Sequence, residues 1–473
     1  MKENIKYKLL LINVVDTTKL LDSPKHIYPI NKLTSFQPLA LGIIAALTPP
    51  YWEVEIIDEN FDEFDFKKNY DASFVGLSSY STSINRTILI ANHFVTNNTP
   101  IIIGGTHASL FPNDLVKTGI SVFKGEVEDI WETVILDFEN KRLKSYYAGS
   151  FCDIEKTPKP NRQIFEKYNY EIAAIEFSRG CPFNCSFCGV PVSFGNKLRY
   201  RSVDSVIEEL KTIKQKYVIF KDDNIIGSST KHKEKAIELF RKIISNKIKK
   251  NFLCFVSINI ANDDFVLKLA RKAGFVLFFI GIESEKIKGI TSINKTVNVE
   301  SAKNNYKLAF KKIHKAKIAI TAAFICGFDT DTTEDINQRA QFIRESSLDT
   351  FTFTVLTPLP ETPLFKELQK DDRIIYKNFP KDWLYYNFCH LTFKAKNANN
   401  EDIEAVYYQH AIKLHTTCVF SKKLLRSFLN TRSIRTTVAA YVFNKHHHIF
   451  LKESKLLRLM ETLYNVFTNY KQK

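Results

Sequence analysis

Three cysteines in the stretch Ser178-Arg179-Gly180-Cys181-Pro182-Phe183-Asn184-Cys185-Ser186-Phe187-Cys188 follow the spacing Cys-x3-Cys-x2-Cys. One irregular loop of that length turns all three sulfurs toward a single point. Thiolates are soft ligands that suit iron–sulfur clusters or zinc. A closed structural zinc site or an ordinary 4Fe–4S cluster takes four protein ligands. Three leave one metal position open, and an open position is where a metal does chemistry. On spacing alone, three unrelated core thiols and a zinc loop completed by a distant His or Cys stay open as readings.

Elements that carry such a loop must come from a chain of 473 residues, more than one hydrophobic core usually supports, so two or three domains are expected. The hydrophobic share of 44% and charged share of 25% are those of a globular protein. The longest apolar candidate, Leu39 to Leu47, is too short to span a bilayer. Met1-Lys2-Glu3-Asn4 opens no secretory signal, and eight cysteines with three in a ligand pattern fit a reducing cytosol, so a cytoplasmic location is expected. The net charge of +16 is uneven: residues 1–150 hold 14 Lys/Arg against 18 Asp/Glu, whereas residues 411–473 hold 12 against 2. Basicity belongs to the tail, where a solvated helix face is the plain reading and peripheral contact with a membrane or anionic partner the sharper one.

Strand-like runs at Tyr7–Val14, Trp52–Ile57, Phe74–Ser78, Pro100–Ile103 and Ser121–Lys124 alternate with helical stretches, the last from Glu126 to Phe138. This alternation predicts a doubly wound, Rossmann-like parallel sheet over residues 1–145. Ligands of such sheets sit beyond the carboxyl ends of the strands, where Gly76-Leu77-Ser78, Gly104-Gly105-Thr106-His107 and Gly125-Glu126 fall. Residues 146–170, with Pro158 and Pro160, read as a linker. A second alternation over 171–370 predicts a partial (β/α)6 barrel. Its strands end at the cysteine loop, at Asp222-Asp223-Asn224, at Ser257, at Glu283 and at Cys326-Gly327. Thr332 and Asp335 form a capping-box pattern after the fifth strand. Residues 371–473 read as a basic, mainly helical region.

The Arg-Gly-Cys-Pro-Phe-x-Cys-x-Phe-Cys form of the loop resembles the radical S-adenosylmethionine (radical SAM) enzymes, in the branch that often carries a cobalamin-binding domain in front. Thr357-Pro358-Leu359-Pro360 and the residues after it resemble hopanoid-methylase-like and anaerobic-cyclase-like members. The resemblance implies that Cys181, Cys185 and Cys188 hold a 4Fe–4S cluster whose fourth iron is chelated by S-adenosylmethionine. It places the methionine amino group at Asp222-Asp223-Asn224, with Asp223 the chosen contact, and the carboxylate or ribose at Ser257 and Glu283. Phe187, Ile325 and Gly327 would border the adenine. Ser78, Gly104, Gly105, Thr106 and Gly125 would line a groove for the cobalamin tail. The loop after the first strand, Val15-Asp16-Thr17-Thr18-Lys19, departs from the Asp-x-His-x-x-Gly motif of other cobalamin domains, so no histidine from that motif ligates cobalt.

The activity this implies is reductive cleavage of S-adenosylmethionine to a 5′-deoxyadenosyl radical, with cobalamin-dependent methylation of an unactivated carbon as the leading outcome. A cyclase or rearrangement enzyme, a tRNA methylthiotransferase and a non-catalytic cluster or cobalamin carrier are the alternatives. The methylthiotransferase needs a second set of cysteines, and residues 1–150 contain none. The expected partners are a small-molecule, lipid or peptide substrate and an electron donor such as flavodoxin or ferredoxin; nucleic acid is not expected. Trp383 and His390 are within reach of a substrate only if they are not core residues, and His446-His447-His448 is a weak metal candidate because neighbouring helical side chains diverge.

Overall fold

The computed structural model describes residues 5–14, 36–304 and 306–442. The Val15–Lys19 loop, His26 and the histidines at 446–448 lie outside the described residues.

Strands β1 (Tyr7–Asn13), β2 (Trp52–Asp58), β3 (Phe74–Ser78), β4 (Ile101–Gly104), β5 (Ser121–Lys124) and β6 (Tyr146–Ala148) form one parallel sheet in the order β2-β1-β3-β4-β5-β6. The runs Leu9–Ile12 and Phe74–Leu77 are buried along their whole length, as a sheet covered on both faces requires. The order reverses between β1 and β3, so the ligand crevice of this topology opens where Asn13 and Ser78 end their strands.

Two local expectations are corrected. The stretch from residue 146 starts with a sixth strand, which three residues alternating exposed, buried, exposed gave no apolar run to announce. The rest of it packs rather than drapes: Phe165, Tyr168 and Tyr170 are buried, and the Tyr168 hydroxyl accepts the Asp58 amide at 2.9 Å. The helix expected from Glu126 starts at Trp131. Glu126 and Glu128 spend their carboxylates on Cys152 and Thr157 of the connecting stretch and on Arg199 and Arg179 of the second unit, which hold 125–130 as a turn.

The second unit is a six-stranded parallel sheet, β14-β13-β12-β11-β10-β7, an open (β/α)6 arrangement. Its strands are β7 (Ile172–Ile175), β10 (Tyr217–Phe220), β11 (Asn251–Phe255), β12 (Phe275–Glu283), β13 (Ala319–Cys326) and β14 (Thr350–Val355). Between β7 and β10, a two-residue antiparallel pair, β8 (Ser178–Arg179) with β9 (Arg199–Tyr200), closes the foot of the cysteine loop. The capping box is present: the Thr332 hydroxyl and the Asp335 carboxylate cap each other's amides at the start of Thr333–Glu345. The helix Asn400–Leu414 buries Tyr407 and Tyr408 against this core, and Thr417–Thr431 and residues 434–442 continue the helical end of the chain.

Candidate functional site

β7 stops at Ile175 because the chain turns to serve a carboxylate. Asp222, buried at the end of β10, accepts the amides of Phe177 (3.1 Å) and Ser178 (2.6 Å) and the Ser178 hydroxyl (2.6 Å). Two residues on, the Gly180 amide donates to Asp223 at 3.1 Å. Gly180 has φ +95°, and a Cβ there would lie 2.5 Å from the Lys197 carbonyl, so only glycine fits this entry to the loop. The lobe is then pinned from the barrel: Ser186 N donates to Ile293 O, Asn294 Nδ2 to Asn184 O, and Leu364 N to Ser186 O, at 2.9–3.0 Å.

Cys185 is buried and Cys181 and Cys188 are half-buried. Burial pushes each thiol up to about 11, so at neutral pH the protons stay on sulfur until a metal displaces them. Each thiol feels the charge of another of the three, and the Lys295 ammonium acts on all of them. Three soft donors on a braced loop beside a half-buried lysine cation fit an anionic iron–sulfur cluster.

The two neighbouring aspartates have different work. Asp222 is fully enclosed and its bonds are taken by the cluster loop. Asp223 is half-buried, gives one oxygen to Gly180 and keeps an open side, and its charge reaches Cys181 and Cys188. Burial raises its carboxyl to about 6. Asn224 donates to the Ser257 hydroxyl at 2.6 Å, joining the ends of β10 and β11.

Glu283 is buried at the end of β12 with φ +62° and pairs with Lys295. A Cβ on Gly281 would meet both Glu283 Oε1 and Lys295 Nζ at 2.3 Å, so this glycine leaves the room the pair occupies. Burial disfavours the Lys295 charge, yet Glu283 and Cys185 hold its ammonium above the ordinary lysine range. Thus Asp223, Glu283, Lys295 and the three cysteines converge on one charged centre, with Asn224 and Ser257 alongside.

The other barrel candidates are more peripheral. The Ile325 carbonyl accepts from Arg339 (2.8 Å), and Gly327, at φ +89°, gives its amide to Asp331 (3.0 Å). Phe187 is half-buried against the main core. Trp383 is a core residue packed on Phe111 and Tyr386, and His390 bonds the Tyr408 hydroxyl at 3.0 Å.

In the first unit, Ser78 ends β3 half-buried, Gly104 ends β4, and Thr106 opens the helix Thr106–Leu110. Gly105, at φ +99°, would place a Cβ 2.6 Å from the Ser79 carbonyl, and Gly125, at φ +89°, 2.5 Å from that of Gly149. These two glycines are therefore demanded by neighbouring backbone. A Cβ on Gly104 would find nothing nearer than Phe123 at 3.8 Å. Near these strand ends, His107 is fully buried. Its Nδ1 faces Ser81 Oγ at 3.2 Å, its Nε2 has no hydrogen-bond partner among the described residues, and burial lowers its basicity to about 3. Asn85 Nδ2 is likewise buried without a partner. The room at Gly104 and the unpartnered polar atoms on the residues that follow β3 and β4 fit a polar cofactor tail.

Sequence reasoning missed the joint between the two units. Arg199 makes two bonds to Glu126, and Arg179 reaches Glu126 (3.3 Å), Glu128 (2.9 Å) and Glu176 (2.7 Å). Burial opposes ionisation of Glu126, but Arg199 and Arg179 outweigh it and hold the carboxyl below its usual range. Glu126, Glu128 and Cys152 bring ligand atoms within 4.8 Å of one another. With two guanidiniums already on the carboxylates, that cluster is an ion-pair joint and not a cation site. It connects the residue after Gly125 to the residue before Gly180. The available signal was an arginine beside the first cysteine and a glutamate beside a strand-end glycine, but residue type alone does not pair them. Lys295 was missed for the same reason.

A sequence model of the radical SAM superfamily matches residues 175–343. The bacteriochlorophyllide d C-8(2)-methyltransferase of Chlorobaculum tepidum is 28% identical over 86% of this chain and 91% of its own length. The hopanoid C-2 methylase of Rhodopseudomonas palustris is 28% identical over 76% of this chain and 69% of its own. Among solved structures, the cobalamin-dependent S-adenosylmethionine radical enzyme OxsB with aqua-cobalamin bound superposes with a TM-score of 0.66. It covers 98% of this chain and 79% of that one, at 13% identity, which speaks for the fold.

Proposed function

We propose that this chain, whose residues 175–343 match the radical SAM superfamily model, is a cobalamin-dependent C-methyltransferase acting on a small molecule. The observation that carries the reading is the convergence of three protonated thiols, an open-sided carboxylate at Asp223 and the Glu283–Lys295 pair at the carboxyl ends of β7, β10 and β12. The methyltransferase names of relatives that align over three quarters or more of the chain support methyl transfer as the outcome.

When bound, a 4Fe–4S cluster with S-adenosylmethionine supplies a 5′-deoxyadenosyl radical, and cobalamin supplies a methyl group. Cys181, Cys185 and Cys188 would hold the cluster, giving up their protons as iron binds. Asp223 would accept the methionine ammonium, and Lys295, anchored by Glu283, would face the carboxylate. Asp222 keeps the loop backbone in register, so its carboxylate is not offered to ligand. Ser78, Gly104, Gly105, Thr106 and Gly125 would line the cobalamin side, and the Glu126–Arg179–Arg199 joint would fix that side relative to the cysteines. A small reduced electron carrier is the expected donor.

The test is anaerobic reconstitution with iron, sulfide and cobalamin, then turnover with methyl-deuterated S-adenosylmethionine and tetrapyrrole or polycyclic lipid candidates. Deuterated methyl in product together with 5′-deoxyadenosine is expected, and Cys185→Ala abolishes both along with the bound iron. Product that gains no label while 5′-deoxyadenosine accumulates would replace methyl transfer with ring closure or rearrangement.

A further inference from the structure

The helical end of the chain is built inside out. In the helix Thr417–Thr431 and in residues 434–442, the side turned to the barrel is largely polar. Lys423, Ser427, Thr431, Ser433 and Thr436 are buried there; Lys423 donates to Leu348 O (3.2 Å), and Ser433 and Thr436 receive Arg271 (3.0 and 3.3 Å). The side turned outward carries an apolar row among exposed basic residues: Leu425 and Leu429 are each 61% exposed and Ile434 74%, with Phe428, Val438 and Tyr441 also exposed, beside Lys422, Arg426, Arg432 and Arg435. Single exposed apolar residues are ordinary, but a row of six on two successive helical segments marks an interaction face.

Charge narrows what covers it. Residues 417–442 hold five Lys/Arg and no acidic residue, and residues 443–473 add six against two Glu. A second copy of this chain would bring like charges face to face, and so would the chain's own basic end. A nucleic acid would satisfy the cations but leave Leu425, Leu429 and Ile434 without apolar cover. An anionic lipid surface satisfies both, taking the apolar row into the acyl boundary and the cations among the headgroups. No helix among the described residues is long and apolar enough to cross a membrane, so the contact is interfacial. We propose that residues 417–442 dock this protein on an anionic lipid surface. The face lies by the strand starts of the barrel, where Ala439 and Ala440 pack on Ile172 and Ala319, so the cysteine loop at the opposite strand ends stays free.

The test is co-sedimentation of the full-length, anaerobically reconstituted protein with phosphatidylcholine vesicles, with and without phosphatidylglycerol. Binding to the anionic vesicles is expected, weakening as salt rises. Leu425→Ser with Leu429→Ser and Ile434→Ser should lower it by about tenfold or more. Arg432→Glu with Arg435→Glu should lower it by about tenfold, on anionic vesicles only. Both variants alter exposed residues far from the cysteines and should keep wild-type iron content. Four results would overturn the proposal: no vesicle binding at any salt; a dimer in solution that the apolar variant splits; tighter binding to oligonucleotides than to vesicles; or core-like hydrogen-exchange protection of 417–442 in vesicle-free protein.

Discussion

Asp222 sits where two demands oppose each other. Three hydrogen bonds from Phe177 and Ser178 favour its carboxylate, but complete burial wins and raises the carboxyl to about 7. In the unfolded chain the group titrates near the ordinary aspartate value of about 3.9. Between those values the folded chain holds the extra proton, so this residue's contribution to stability is present below about pH 4 and is lost as pH rises through about 7. The slope is at most about 1.4 kcal/mol per pH unit. Urea unfolding of the metal-free protein from pH 4 to 8 should therefore show a falling midpoint that Asp222→Asn flattens. An unchanged slope in the variant would mean that the carboxyl is solvated and the cluster loop is held by other bonds. Asp223, one residue on, was singled out by the family resemblance and not by residue type: both acidic groups were legible in the sequence, but which one is wholly spent on the loop depends on the fold beside them.

At the scale of elements, apolar runs announced most strands because most of them, such as Phe74–Ser78 and Ile172–Ile175, are buried on both faces. What escaped was set by tertiary partners. Tyr146–Ala148 is too short to show a period, and the turn at 125–130 replaces a helical start because Glu126 and Glu128 are claimed by Arg199 and Arg179. The apolar residues of Thr417–Thr431 were legible as a helical pattern, but their outward direction was not, since periodicity gives a helix its faces but not which face meets the core. The ion-pair joint gives an element-scale prediction. Arg199→Met leaves Glu126 buried with less compensation and should cost about 3 kcal/mol. Glu126→Gln in the same chain should recover part of that loss, because the uncompensated charge goes with it. If denaturant unfolding finds the two substitutions additive, the joint is a surface pairing without consequence for how the two units are held.

The whole molecule sets two parallel α/β units on either side of that joint, and its fold is shared with a cobalamin-dependent radical enzyme despite 13% identity. That such a distant pair agrees over nearly the full chain shows that different residues build the same fold. The cysteine spacing was legible because a metal cluster constrains residue type and interval together. The strand ends proposed for cobalamin were only partly so, because Gly105 and Gly125 answer to the Ser79 and Gly149 backbone and glycine carries no sign of which demand it meets. The most direct measurement is electron paramagnetic resonance of the anaerobically reconstituted, dithionite-reduced protein before and after S-adenosylmethionine is added. The account predicts a reduced 4Fe–4S signal whose g-values move when S-adenosylmethionine binds the open iron, and loss of the signal in Cys181→Ala, Cys185→Ala and Cys188→Ala alike. A protein without that cluster, or with a signal indifferent to S-adenosylmethionine, would contradict it.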